Sequence, residues 1–346
     1  MIDLPFEAVP EALDEFMSRP TAGVLEALKS TEGDILVLGA GGKMGLHVCL
    51  MLQRAFEELA LSDREVVAVS RFGGAGAGDP FEREGVKTIA ADLCDPRQLE
   101  NLPDAQSVIF LAGVKFGTSH DPGLLNKMNV EMPGLVASRF RKSRIVALST
   151  GCVYSFTTPE SGGSSETGGE VNPVGAYARS CLGREQAFAK AAEDWGTQCA
   201  LIRLNYAIDL RYGVLHDIAQ KVITGTPVDV TMGYVNVIWQ RDAIAHSIQA
   251  LCHAAAPPFI LNVTGPEVLR VRDLAARFGE VLGLEVRIEG EEEELGWLSD
   301  SSKACGLFGR PEVSINEMID WTAGWLSAGG TSLGKPTHFE NREGKF

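Results

Sequence analysis

The stretch "DILVLGAGGKMGLHVCLMLQ" (34–53) limits the possible fold more than any other part of the chain. A short apolar run passes at once into glycines and then into an amphipathic run with helical spacing, the signature of a strand turning directly into a helix. The glycines fall at Gly39, Gly42 and Gly45, the spacing G-x-x-G-x-x-G; a G-x-G-x-x-G loop would close at position 44, which is Met44. Gly39 would let the chain leave the strand sharply, Gly42 would let backbone approach a pyrophosphate, and Gly45 would let the helix pack close to the sheet. The helix start offers unpaired N–H groups and a partial positive charge to the phosphates. Lys43 and Met44, inside the loop, are candidates to line the same ligand. The alternative is a tight strand–helix turn with no ligand.

The alternation continues downstream. "EVVAVS" (65–70), "GVKTIAAD" (85–92), "SVIFLAG" (107–113), "RIVALST" (144–150) and "QCALIRLN" (198–205) read as buried strands, with a helix over much of 122–141. Apolar strands separated by helical segments imply an α/β fold: a doubly wound parallel sheet of the Rossmann type. That dinucleotide-binding domain is expected over 34–205. Residues 1–33 read as a helical extension of two short amphipathic runs broken at Pro20, packing on the main domain or on a partner subunit. After 205 the rhythm changes. A smaller α/β substrate lobe is expected from 206–235 and 266–330, with the chain returning to the main domain around 236–265 through "FILNVTG" (259–265). "VDVTMGYVNVIW" (228–239) reads as one or two strands, "EGEEEE" (289–294) as a solvated surface turn, and 331–346 as an irregular tail.

The second strand ends in Ser70 and Arg71, where an acid would normally meet the ribose 2′-hydroxyl of NAD. A carboxylate would repel a 2′-phosphate, whereas a guanidinium pairs with one, so NADP is favoured over NAD. Asp92 and Leu93, ending the third strand, are placed to meet the adenine; Asp92 as a cap for the helix in "DPRQLENL" is the competing reading.

Composition removes several classes of partner. The net charge of −15, from 46 acidic and 31 basic residues, argues against nucleic acid and anionic membrane. The seven cysteines form no CxxC pair and the histidines show no metal-ligand spacing, so no metal and no disulfide frame are expected. No stretch approaches the roughly 18 apolar residues of a membrane helix, and no basic leader opens the chain, which makes the cytoplasm the default.

GxxGxxG after the first strand, "ADL" (91–93), "LAG" (111–113), "MNV" (128–130), "STGCVY" (149–154), "YARSC" (177–181), "RLN" (203–205) and "LNVTGPE" (261–267) occur in that order. Over about residues 34–285 the chain resembles the extended short-chain dehydrogenase/reductase family, also called the NAD-dependent epimerase/dehydratase family. The resemblance implies a nicotinamide coenzyme along Leu111, Ala112, Gly113, Asn129 and Asn205. It implies that Tyr177 exchanges a proton with a substrate hydroxyl while Thr150, with Ser149 beside it, holds the reacting oxygen. It also implies a homodimer.

Two departures stand out. The family's YxxxK lysine hydrogen-bonds the coenzyme ribose and lowers the tyrosine pKa; here Cys181 occupies its place. Three accounts are open. Another cation, Lys115 or Arg184, substitutes (Arg179 points elsewhere); or the coenzyme's own charge suffices; or catalysis is lost and the protein only binds its ligands. The second departure is near Asp242. Nucleotide-sugar enzymes often carry an arginine about where Val235 and Asn236 stand. Asn236 and Trp239 suit a neutral polyol or sugar better, and Arg211 and Tyr212 could add one anion contact, for instance to a sugar acid. The expected activity is oxidation or epimerisation at a secondary alcohol or ketone of a sugar-like substrate, the alternative being a binding or regulatory protein that senses NAD(P).

Overall fold

The computed structural model describes residues 4–115 and 121–344. Its centre is a seven-stranded sheet: β1 Ile35–Leu38, β2 Val66–Ser70, β3 Lys87–Ala90, β4 Ser107–Phe110, β5 Arg144–Thr150, β6 Cys199–Leu204 and β7 Phe259–Val263. The spatial order is β3-β2-β1-β4-β5-β6-β7, and every neighbouring pair is parallel. The apolar runs were legible because strands covered on both faces need no polar alternation; β1 and β4 are buried throughout. The order reverses between β1 and β4. At such a switch point the two following connections go to opposite faces and leave a crevice at the strand ends.

Two helices precede the sheet, α1 Pro10–Met17 and α2 Ala22–Lys29, broken around Pro20 as the sequence predicts. Thr21 caps α2 by accepting from the Val24 N–H at 3.3 Å. Val24 and Leu28 of α2 enter the core under the sheet, whereas Leu13 and Met17 of α1 enter a second core. The main helices that follow are α3 Gly45–Glu58, α4 Met132–Arg139, α5 Gly175–Trp195, α6 Val214–Thr224, α7 Gln240–Gln249, α8 Val271–Leu282 and α9 Ile315–Ser327. The second core is built from α6, α8 and α9, with Ile218, Phe278 and Trp325 fully buried in it. The stretch 228–239 forms three two-residue strands, Val228–Asp229, Tyr234–Val235 and Ile238–Trp239, each paired with a different partner. One reason for the break is that the Asn236 side chain is turned inward to serve other backbone: it donates to Glu267 O and accepts from Ser299 N.

The described part of the tail, 331–344, has no helix or strand, yet it is fixed. Thr337 donates through both N and Oγ1 to Asp217 Oδ2 of α6, at 2.7 and 2.6 Å. Leu333 N donates to Arg211 O, Phe339 is buried, and the Arg342 guanidinium lies 4.4 Å from the Phe156 ring centroid.

One polar cluster joins the N-terminal extension to both cores. Asp14 of α1 accepts from His47 Nε2 of α3 at 2.8 Å and from Arg211 Nη2 at 2.9 Å. Arg211 also forks onto Asp209, Nε to Oδ1 at 3.0 Å and Nη2 to Oδ2 at 2.8 Å, while Gln240 donates to His47 Nδ1. Burial pushes both carboxyls up, but hydrogen bonds (from His47 to Asp14, from Arg211 to Asp209) and the Arg211 charge outweigh it and hold both below the usual carboxylate range. Carboxyls depressed in the folded state add stability that is present above their unfolded pKa of about 4 and is lost as pH falls through the folded value. Asp209→Ala removes the fully buried partner and should cost about 3 kcal/mol. Asp14→Ala leaves the Asp209 fork in place and should cost about 1 kcal/mol. Urea unfolding at neutral pH measures both; equal losses would contradict this division.

Candidate active site

The glycine turn sets the geometry. Gly39 has φ +90°, and a Cβ there would stand 2.5 Å from Ala112 N, so the ends of β1 and β4 touch backbone to backbone. A Cβ on Gly45 would lie 2.0 Å from Ala40 O, which explains why α3 begins with glycine. Gly42 meets only Gly39 O, at 3.2 Å, and lines two adjoining cavities. Gly41, which the sequence reading passed over, is needed as well: a side chain there would collide with Ser70 Oγ.

The first cavity lies beyond β2. Gly42, Ser70 and Arg71 from the sequence reading line it together with Gly41 and Phe72, and no carboxylate does. Asp92 and Leu93 line neither cavity. Leu93 is buried in the sheet core, so the adenine contact expected of it is corrected. Asp92 Oδ1 accepts from Cys94 N, and the following helix is capped by Asp95 instead.

The second cavity, of about 290 Å³, brings together Lys43, Met44, Leu111, Lys115, Ser149, Thr150, Tyr177 and Asn205 from the sequence reading, with Cys152, Tyr206, Tyr212, Val214 and Thr337. Tyr177 stands in the first turn of α5. Ser149 Oγ donates to Glu185 Oε1 at 2.5 Å, and Glu185 is held by Arg203 in a buried fork. Thr150 Oγ1 accepts from Cys152 N at 3.2 Å. Asn205 Nδ2 donates to Trp297 O. Lys115 Nζ lies 5.6 Å from the Tyr177 ring centroid. Lys43 Nζ lies 3.6 Å from the Tyr212 ring centroid and 3.5 Å from Ala207 O.

Cys181 is fully buried and hydrogen-bonded with Tyr177. Burial pushes the Tyr177 phenol well above its ordinary value, Cys181 adds to the rise, and the charge of Arg184 opposes it. Arg184 is therefore the cation of α5 that acts on Tyr177. It does so from behind the wall: Nη1 donates to Leu148 O at 2.7 Å and Nη2 to Asn129 Oδ1 at 3.0 Å. A Cβ on Gly113 would stand 2.2 Å from Arg184 Nη2, which accounts for the glycine of "LAG". Arg179 is exposed and turned away. Burial lowers both lysines, Lys43 to about 7.

Four expected contacts are corrected. Asn129 is fully buried and spends its amide on Val114 N, Val114 O and Ser180 Oγ, so it holds the Gly113–Lys115 segment and is not open to a coenzyme. Trp239 is fully buried against Phe16 and Trp321. Asn236 is consumed by Glu267 and Ser299, and Arg211 by Asp14 and Asp209. Residues the sequence reading missed are Cys152, Tyr206 and Thr337; Tyr212, read beside Arg211 as a possible anion contact, lines the cavity while Arg211 does not. Tyr206 carried a local signal, since it follows "RLN", and it holds φ +40°, a conformation costly for an aromatic residue and concentrated at functional sites. Among the described residues no cluster of His, Cys, Asp or Glu is arranged to hold a metal ion.

Sheet order, glycine turn and crevice define a dinucleotide-binding doubly wound protein. The sequence model of the NAD dependent epimerase/dehydratase family matches residues 35–208, half of the chain, and the chain belongs to that family. No curated protein sequence matches it. Solved structures similar to it include the UDP-glucuronic acid 4-epimerase of Bacillus cereus in complex with NAD (19% identity, TM-score 0.70, covering 85% of this chain and 99% of that one). A UDP-galactose 4-epimerase is 22% identical with TM-score 0.66, covering 86% and 99%. The UDP-glucose 4-epimerase of Thermus thermophilus in complex with NAD is 21% identical with TM-score 0.67, covering 85% and 99%.

If Arg184 is the cation that tempers Tyr177, Arg184→Gln should raise the phenol's pKa further. A base acts only when deprotonated, so the rise of kcat/KM with pH should move to higher pH, by about one unit. An unmoved profile in a folded variant would remove Arg184 from the electrostatics of the site.

Proposed function

We propose that this chain is an NAD(P)-dependent oxidoreductase or epimerase acting on a secondary alcohol or ketone of a sugar-like molecule. The observation that carries the reading is that Tyr177, Thr150, Ser149 and Lys115 meet in one cavity at the switch point of the sheet. The residues fit a pyridine dinucleotide: Gly41, Gly42 and Gly45 keep the approach to the start of α3 open, and Leu111 and Tyr177 border the space beyond it. Bound there, the coenzyme supplies a hydride acceptor or donor. Tyr177 would take or return the hydroxyl proton of the substrate. Thr150 would hold the reacting oxygen. Ser149 already donates to Glu185, so its part is to accept a hydrogen bond from the substrate hydroxyl. The family membership and the sugar-nucleotide epimerases among the similar structures support the substrate class. Ser70 and Arg71, in a cavity with no lining carboxylate, support NADP over NAD.

One observation favours a second reading, binding without turnover: the lysine position holds a buried thiol and the phenol is held protonated. A sugar panel with absorbance of the reduced coenzyme separates the two. Tyr177→Phe should cut turnover at least a hundredfold while coenzyme affinity changes by less than about tenfold. Equal rates for Tyr177→Phe and wild type, or coenzyme binding with no redox change, would favour the second reading. In the same assay Arg71→Ala should weaken NADP about tenfold more than NAD, because only NADP carries the phosphate the guanidinium pairs with.

A further inference from the structure

The chain leaves β6 at Leu204 and bends at Tyr206, whose φ of +40° lies in the left-handed region that suits glycine and is costly for an aromatic residue. The bend is enforced from both sides. Asn205 N donates to Val263 O at 3.0 Å, and Asn205 Nδ2 donates to Trp297 O. Tyr206 O accepts from Ile238 N at 3.2 Å, and Ala207 and Ile208 then pair with Ile238 and Trp239. A glycine would take this bend without strain, so the phenol ring is what this position adds to the site.

Tyr206 is half-buried, packs against the second core, and lines the cavity that holds Tyr177 and Thr150. Among the described residues its hydroxyl makes no hydrogen bond. Of the groups whose charge bears on this phenol, Cys152 and Tyr212 line the same cavity and Glu340 belongs to the tail. Cys152 bears on the Tyr177 phenol too, so the two phenols share one neighbourhood. Burial first, then Cys152, pushes the Tyr206 phenol well above its ordinary value. At neutral pH it is an uncharged group that can donate one hydrogen bond and accept another.

We propose that Tyr206 is a specificity-determining residue whose hydroxyl pairs with a substrate hydroxyl other than the one that reacts. The inference rests on the oxidoreductase reading above and adds a second point of recognition to it. Tyr177, Thr150 and Ser149 meet the reacting hydroxyl; Tyr206, on the 205–214 segment, meets another on the same molecule. The class selected is therefore polyhydroxylated, since a simple secondary alcohol offers nothing to the second phenol. Tyr206 takes no part in bond making; it fixes which carbon of the sugar is presented to Tyr177.

The test uses the full-length protein with saturating NAD or NADP. The probes are glucose, galactose, glucuronate, UDP-glucose and UDP-glucuronate, then the monodeoxy analogues of whichever is turned over best. Tyr206→Phe keeps the ring and removes only the hydroxyl. It should raise the KM for that sugar about tenfold with kcat nearly unchanged. Urea stability and coenzyme affinity should not move, because the ring packing is retained. One monodeoxy analogue should lose about tenfold in kcat/KM with the wild type and less than about threefold with Tyr206→Phe, because the pair is already broken. The other analogues should lose equally with both proteins. An unchanged KM for Tyr206→Phe, or a loss that no deoxy analogue matches, would overturn the proposal and leave the oxidoreductase reading intact. A fall in stability or coenzyme affinity would do the same, by making the phenol structural. If no sugar is turned over, the oxidoreductase reading fails, and calorimetry with the same sugars on the coenzyme complex decides the contact. A sugar bound about tenfold more weakly by Tyr206→Phe sustains it; equal binding, or none, overturns it.

Discussion

The architecture turns on one contact without side chains: the backbone of Gly39 against the backbone of Ala112. A methyl group on Gly39 would stand 2.5 Å from Ala112 N, so β1 and β4 can run side by side to their ends only because that position is bare. Beyond it the two connections part, one into α3 and one along Gly113–Lys115, the start of the link to α4. The cleft is the space their divergence leaves. The same economy recurs in the next layers, where Gly45 clears Ala40 and Gly113 clears the Arg184 guanidinium. Each missing Cβ permits an approach that fixes where a neighbouring element or cation can lie.

Charge inside the molecule is arranged against its overall sign. The chain carries −15, yet the buried carboxylates closest to the cleft are neutralised in pairs: Glu185 with Arg203, Asp209 and Asp14 with Arg211. The charged residues that line the cavity, Lys43 and Lys115, are both cationic. The substitution at Cys181 fits this pattern. A lysine there would place a third ammonium beside the phenol; Arg184, lying behind the wall and tied to Leu148 and Asn129, acts on Tyr177 by field and not by contact. In the family resemblance one lysine performs two tasks, tempering the tyrosine and holding the ribose. Arg184, tied as it is, is available for the first only. The phenol is then held protonated by its surroundings, and its activation depends on what binds.

The sheet was readable from sequence because buried parallel strands are continuous apolar runs, and six of the seven lay where such a run ended in a glycine, a hydroxyl or an amide; the run of β3, at the sheet edge and partly exposed, ended in Asp92. The errors share a different cause. Trp239 and Asn236 looked like cleft residues because their segment is short and irregular, and irregular segments carry both sites and core. Arg211 looked like a free anion contact because its second carboxylate, Asp14, is distant in the chain and belongs to the N-terminal extension. Asn129 sits in a motif associated with coenzyme, but its four-way amide is exhausted by Val114, Ser180 and Arg184. Sequence distance hid these partners. Lys43 was read as part of the coenzyme loop, and its ammonium lies on the Tyr212 ring, since nothing local tells which way a long flexible side chain will turn.

The two walls of the cleft have separate supports. The coenzyme wall is part of the sheet and stands on the glycine contacts. The opposite wall is the 205–214 segment, and it is held from both ends of the chain. Arg211 takes Asp14 of α1 through its guanidinium and Leu333 of the tail through its carbonyl. One residue on, Tyr212 is the platform beneath Lys43. Thr337, anchored by Asp217, reaches the same cavity. The N-terminal extension and the irregular tail, the two parts least resembling a dinucleotide-binding fold, thus converge on the loop that faces the cavity. The two walls meet where Lys43 of the glycine turn lies on the Tyr212 ring and where Asp14 accepts from His47 of α3, so changes in the extension or the tail bear on both.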